Sequence, residues 1–133
     1  MPSSTEIFTS AWRAFGENRV EDLAALLHPD LEWHSAPLGE VFRGPAAVEC
    51  WSAAISRAYK SLTVVLESTS QVDDDCVVAF GRATAFSHGG ERSCDGDLSW
   101  VTEYADGRIV RGRVFRGHEA ARRYVASRGA EAA

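Results

Sequence analysis

The sequence predicts an α+β domain in which a cone-shaped, strongly curved antiparallel sheet wraps around three N-terminal helices. Helical periodicity dominates up to Tyr59, and strand-like alternation dominates from Leu62 to Phe115. The connections within the second part are Asp73-Asp74-Asp75, His88-Gly89-Gly90 and Asp106-Gly107. Linkers this short join antiparallel neighbours and cannot make parallel crossovers.

Ser3-Ser4-Thr5-Glu6 reads as a capping box, with Ser3 accepting from the amide three residues on. Phe8, Ala11, Trp12 and Phe15 then recur on one helical face, and Gly16 and Asn18 stop the helix. Asn18 and Glu21 repeat the start signal for a short second helix carried by Leu23, Leu26 and Leu27, which Pro29 ends. Asp30 to His34 reads as a short strand and Ala36 to Arg43 as a loop. Pro45 suits the first turn of a third helix, whose buried stripe is Val48, Trp51, Ile55 and Tyr59. Strands are then expected from Leu62, over about Cys76 to Ser87, Leu98 to Tyr104 and Ile109 to Phe115, joined as a meander. Glu119 to Ser127 reads as a final short helix and Arg128 to Ala133 as a frayed end. The whole chain, residues 1–133, is expected to form a single domain with an ordered core over about residues 5–127.

At 133 residues with 45% apolar and 25% charged residues, the chain has the composition of a globular domain that needs no staple. No apolar run reaches the ~20 residues of a membrane span, and Met1-Pro2-Ser3-Ser4 lacks the marks of a secretory leader. The expected location is the cytoplasm, with no membrane partner. Cys50, Cys76 and Cys94 have no paired spacing, so they read as free thiols and not as a disulfide or zinc framework. The net charge of −5 and the lack of a basic run argue against a nucleic-acid partner. With no glycine-rich phosphate loop, His-Glu-x-x-His helix or Cys-x-x-Cys pair, no cofactor and no metal are expected.

The order of elements, the passage "DLEWHSAP…VFRGPAAV" leading into the third helix, and "WVTEYADGRIVRGRVF" followed by "HEAARRY" resemble the SnoaL-like branch of the nuclear transport factor 2-like superfamily. The resemblance covers about residues 5–126. It implies a cone-shaped domain with a pocket in the cone, and a homodimer formed through the outer face of the sheet. Relatives include ketosteroid isomerases, aldol-type polyketide cyclases, limonene-epoxide hydrolases and scytalone dehydratases, so fold alone does not choose a chemistry.

The residues narrow the choice. The isomerases place a carboxylate base before the proline that follows the first strand, but here Ser35-Ala36 precede Pro37. Their later acid falls at about Trp100, and their tyrosine among Trp12 to Phe15. All three roles lack their usual residue. A cyclase needs one acid or base beside a carbonyl, for which Asp95, Asp97 and Glu103 are candidates by position. Glu103 leaves its strand on the face opposite Thr102 and Tyr104, and which face lines the pocket stays open. The epoxide hydrolases need two aspartates bridged by an arginine, and no second inward carboxylate is apparent.

His34 has the intrinsic pKa of a general base, but alternation sends it to the face opposite Trp33 unless the strand end twists or bulges. Arg111 and Arg113 share one face of their strand with Ile109 and Phe115, as an outward basic stripe, with Arg113 entering the cone as an anion or carbonyl anchor, or with both supporting a dimer contact. The candidate catalytic residues are therefore His34, Arg113 and Glu103. The candidate ligand contacts are Trp12, Phe15, Trp33, Ser35, Trp51, Tyr59, Trp100 and Thr102, a set suited to a small, flat hydrophobic molecule. Two functions fit: cyclase- or isomerase-like acid/base catalysis without a cofactor, or non-catalytic binding.

Overall fold

The computed structural model describes residues 3–44 and 46–132, with side chains for all of these except 93, 94 and 129–132. In chain order the elements are α1 (Ser4–Gly16), α2 (Val20–Ala25), β1 (Leu27–Ser35), β2 (Glu40–Arg43), α3 (Ala47–Ala58), β3 (Ser61–Asp73), β4 (Cys76–Phe86), β5 (Arg92–Ala105), β6 (Arg108–Arg116) and α4 (Glu119–Ala132). The strands form one six-stranded sheet in the order β2-β1-β6-β5-β4-β3.

α1 begins where the capping signal predicts. Ser3 is the N-cap, and its hydroxyl accepts from the Glu6 amide at 3.2 Å. The buried face is Ile7, Phe8, Ala11 and Ala14, which packs toward the sheet while Arg13 and Glu17 stay in solvent. α2 starts differently from its predicted cap: its N-cap is Arg19, without a side-chain bond, and Asn18 instead takes the left-handed conformation at φ 58° in the intervening turn. α3 carries Val48, Trp51 and Ile55 on one side as expected; its predicted first-turn proline, Pro45, lies outside the described residues.

Four predictions need correction. Pro29 does not end a helix but sits inside β1, where the register against β6 shifts between Leu27 and Glu32. An irregular stretch tolerates the missing proline donor. The predicted loop before α3 contains β2, whose residues Glu40 to Arg43 pair with Ser35 to Glu32. Finally, β5 begins at Arg92, and the sheet is not wholly antiparallel, because β1 runs parallel to β6. The β5–β6 turn follows the sequence signal closely: Asp106 and Gly107 have φ of 56° and 72°, the two left-handed residues that a tight hairpin of matching twist requires.

The two faces of the sheet bury different things. The concave face packs Leu31, Trp33, Val77, Ala79, Trp100, Tyr104 and Val114 against α1, α2 and α3 as the main core. On the convex face a second cluster of Cys76, Val78 and Val101 is covered by Ala121, Tyr124 and Val125 of α4. α4 extends past the predicted end at Ser127, and Arg128 is fixed on the sheet. The helix therefore covers part of the outer face.

A ligand-sized cavity between the sheet and the helices

The space enclosed by the concave face and the first three helices is a cavity of about 410 Å³. α1 contributes Trp12 and Phe15, α3 contributes Trp51 and Ile55, and the strands contribute Trp33, Trp100 and Thr102. The exposed residues Phe15, Ser56 and Lys60 mark its mouth. A groove between α1, α2 and α3 adjoins it there, sharing Phe15, Gly16 and Ser52.

The aromatic side chains interlock. Trp33 and Trp51 have ring centroids 5.3 Å apart, Trp12 meets Trp100 edge to face at 5.1 Å, and Phe15 tilts over Trp51 at 5.5 Å. Contacts of this kind are worth about 0.5–1.5 kcal/mol each beyond the area they bury. Two glycines seat the rings. A β-carbon on Gly112, the β6 residue paired with Trp33, would run into the Trp33 ring; one on Gly81 would strike the Val65 carbonyl and lie 3.2 Å from Cζ3 of Trp100. The alternation of strand residues marks which side chains point inward, but these glycine seats are visible only once the strands are paired.

The polar side chains of the wall are hydroxyls, which donate or accept, and the Lys60 ammonium. The indole nitrogens of Trp33 and Trp51 are buried away from the open space and have no protein acceptor. Thr102 lies 1% exposed, with its hydroxyl 2.8 Å from that of Tyr104. Burial pushes the Tyr104 phenol well above its ordinary pKa, so it stays protonated despite the Thr102 bond. Among the described residues the wall contains no carboxylate and no imidazole, and its one charged side chain is Lys60. Such a wall can donate hydrogen bonds to a carbonyl or oxyanion; it offers no base to take a proton from carbon near neutral pH.

The structure separates the two sets of predicted residues. Trp12, Phe15, Trp33, Trp51, Tyr59, Trp100 and Thr102 all line the cavity. Ser35 is buried but lines a separate void of about 40 Å³ behind Trp51, together with Leu98 and Val114. His34, Arg113 and Glu103 are outside the cavity lining, on the convex face, where the register pairs His34 with Arg113 and Glu103 with Arg111. β1 does not bulge at its end, so strict alternation holds for His34. β6 does bulge, at Val110, and this carries Ile109 into the cavity, off the face it was expected to share with Arg111 and Arg113.

On the convex face those three residues have other partners. Nε2 of His34 lies 3.0 Å from Glu32, and this bond, with Arg111 and Arg43 nearby, holds the Glu32 carboxyl below its ordinary pKa against the opposing effect of desolvation. Glu103 accepts from the Tyr124 hydroxyl at 2.6 Å and from Nε of Arg128 at 3.0 Å, and Arg111 lies 3.8 Å away. Burial alone would raise the Glu103 pKa; these three partners outweigh it and the carboxyl is held below the ordinary range. Arg113 stacks on the Tyr124 ring, its Cζ 4.7 Å from the centroid. Glu103 and Arg113 together fasten α4. One group of metal-ligand type also comes together on this side: Glu67, Asp97 and His118 have side-chain atoms within 4.8 Å of one another, although they are far apart in sequence. Asp97 there also faces Arg82 at 3.9 Å, and His118 bonds the Gly81 carbonyl at 3.0 Å.

The profile of the SnoaL-like domain matches residues 8–112, from the middle of α1 to the glycine under Trp33. The chain belongs to the SnoaL-like domain family. None of the curated proteins matches it. Solved structures share the SnoaL-like fold at low identity. An NTF2-like protein of Burkholderia thailandensis superposes with a TM-score of 0.78 at 17% identity, over 92% of this chain and 97% of that one. TerC, co-crystallised with polyporic acid, gives 0.73 at 20%, over 91% and 96%. A protein of Catenulispora acidiphila with a ketosteroid isomerase-like fold, in complex with trimethylamine, gives 0.70 at 14%, over 84% and 85%. No helix among the described residues of this SnoaL-like chain is long and apolar enough to cross a membrane.

Proposed function

We propose that this SnoaL-like domain is a binding protein for a small, flat hydrophobic molecule held in the conical cavity. The supporting observation is the wall itself: about 410 Å³ enclosed by four tryptophans, with hydrogen-bond donors and without a carboxylate or imidazole among the described residues. A pocket of that size and polarity suits a ligand of two or three fused or linked rings. The candidate acid/base residues are outside the cavity lining, where Glu103 and Arg113 hold α4 and His34 bonds Glu32. Solved proteins of the same fold carry small molecules, polyporic acid in TerC and trimethylamine in the Catenulispora protein, which is consistent with the cavity as the binding place.

Native mass spectrometry of the purified protein tests the reading directly. A retained small molecule, or saturable quenching of tryptophan emission by aromatic compounds that is lost in Trp51→Ala, is the expected result. Catalytic turnover of an identified ligand that is abolished by Glu103→Gln with α4 still docked would overturn it. In the same reading the protein pairs with a second copy through the part of the outer face that α4 leaves open, around exposed Val41. Sedimentation velocity showing a concentration-independent monomer would remove that part of the proposal.

A further inference from the structure

The chemistry of the cavity wall identifies the charge of its ligand. We infer that the SnoaL-like cavity takes an aromatic anion, with the ring system among the tryptophans and the acidic group at the mouth beside Lys60. This rests on the binding reading above and adds the ligand's charge and orientation to it.

Two observations converge. First, Lys60 is the one charged side chain in the lining, it is exposed at the mouth, and no carboxylate among the described residues lies within ion-pair distance of it. Its backbone is held in place, with the amide donating to the Phe86 carbonyl at 2.8 Å. Second, no anionic side chain among the described residues lines the cavity, so an incoming anion meets no like charge, whereas a cationic ligand would find only the faces of the tryptophan rings and would meet the Lys60 ammonium at the mouth.

Two fluorescent probes with the same anilinonaphthalene body separate the charge from the shape: anilinonaphthalene sulfonate, which is an anion, and phenylnaphthylamine, which is neutral. Titration of each into the full chain, wild type, Lys60→Met and Trp51→Phe, with the folded state checked by near-ultraviolet circular dichroism, gives dissociation constants for both. The expected result has three parts. The sulfonate loses about 2- to 5-fold in affinity in Lys60→Met, the size of an exposed ion pair, while the neutral probe is unchanged. The sulfonate's advantage shrinks as salt rises. Trp51→Phe weakens both probes alike, since it changes the ring wall and not the charge at the mouth. Saturable binding of the neutral probe, with a sulfonate affinity that is indifferent to Lys60→Met and to salt, would overturn the anion inference and leave the binding reading standing. Failure of both probes to bind folded protein would overturn the binding reading together with the inference.

Discussion

Gly112→Ala tests whether the tryptophan wall is set by the pairing of β1 with β6. The added methyl would overlap Cε3 and Cζ3 of Trp33, whose ring lies across the glycine and is 8% exposed. Trp33 touches Trp51, 5.3 Å away between centroids, so a shift of its ring disturbs two rings that line the cavity. Overpacking by one methyl costs about 1–3 kcal/mol. For a domain of this length that lowers the melting temperature by about 5–10 °C. Urea denaturation followed by tryptophan emission measures the loss, and the double variant Gly112→Ala/Trp33→Leu should recover part of it, because the clash has one partner. Gly96→Ala is the control: it lies in β5, its β-carbon would meet nothing within 4 Å, and the change should be neutral or stabilising by up to about 1 kcal/mol. If Gly112→Ala is as stable as Gly96→Ala, the packing of Trp33 on β6 is not as described and the shape assigned to the cavity is wrong.

Three further outcomes follow from the geometry. Glu103→Gln should destabilise the protein by about 1–3 kcal/mol near neutral pH, since Arg128 loses its charged partner under α4. Because the folded carboxyl is held below its ordinary value of 4.5, wild-type Glu103 stabilises above that pH and loses the contribution as pH falls through the lowered value. The gap between the variant and wild type should therefore be widest at neutral pH and close on acidification below 4.5, as read by denaturation at a series of pH values. Alkylation mapped by mass spectrometry should find Cys50 reactive in the folded protein and Cys76 protected until unfolding: Cys76 is 0% exposed and burial pushes its thiol up to about 11, whereas Cys50 is on the surface of α3. Ser3→Ala removes the cap of α1 and should cost about 1 kcal/mol, measured by chemical denaturation, without changing the second-layer packing of α4.

The parts of this structure that were legible in the sequence are those decided by neighbours along the chain. Ser3 and Glu6 announced α1, Asp106-Gly107 announced the last hairpin, and the helical spacing of Trp51 and Ile55 announced a wall of the cavity. β2 was not legible, because Glu40 to Arg43 has one aromatic and one β-branched residue and gains its state from pairing with β1. The polar start of β5 was hidden for the same reason: Arg92 to Asp97 is a strand only because β4 runs beside it. The side-chain sets at His34, Glu103 and Arg113 could be grouped by face, but choosing the inner face required knowing where the helices lie. The bulge at Val110 then moved Ile109 across the sheet, which no residue type in that stretch announces.

The alternation along β5 also separates what selection, or an engineer, can change independently. Trp100 and Thr102 line the cavity and Tyr104 packs in the core on their side, while Val101 and Glu103 face α4, which lies beyond the part of the chain matched by the family profile. Ligand preference can drift by substitutions at one set of positions while the attachment of the C-terminal helix is kept by the other. A chimera that exchanges only the inward positions of β5 with those of another SnoaL-like chain should alter what is bound and leave the helix seated.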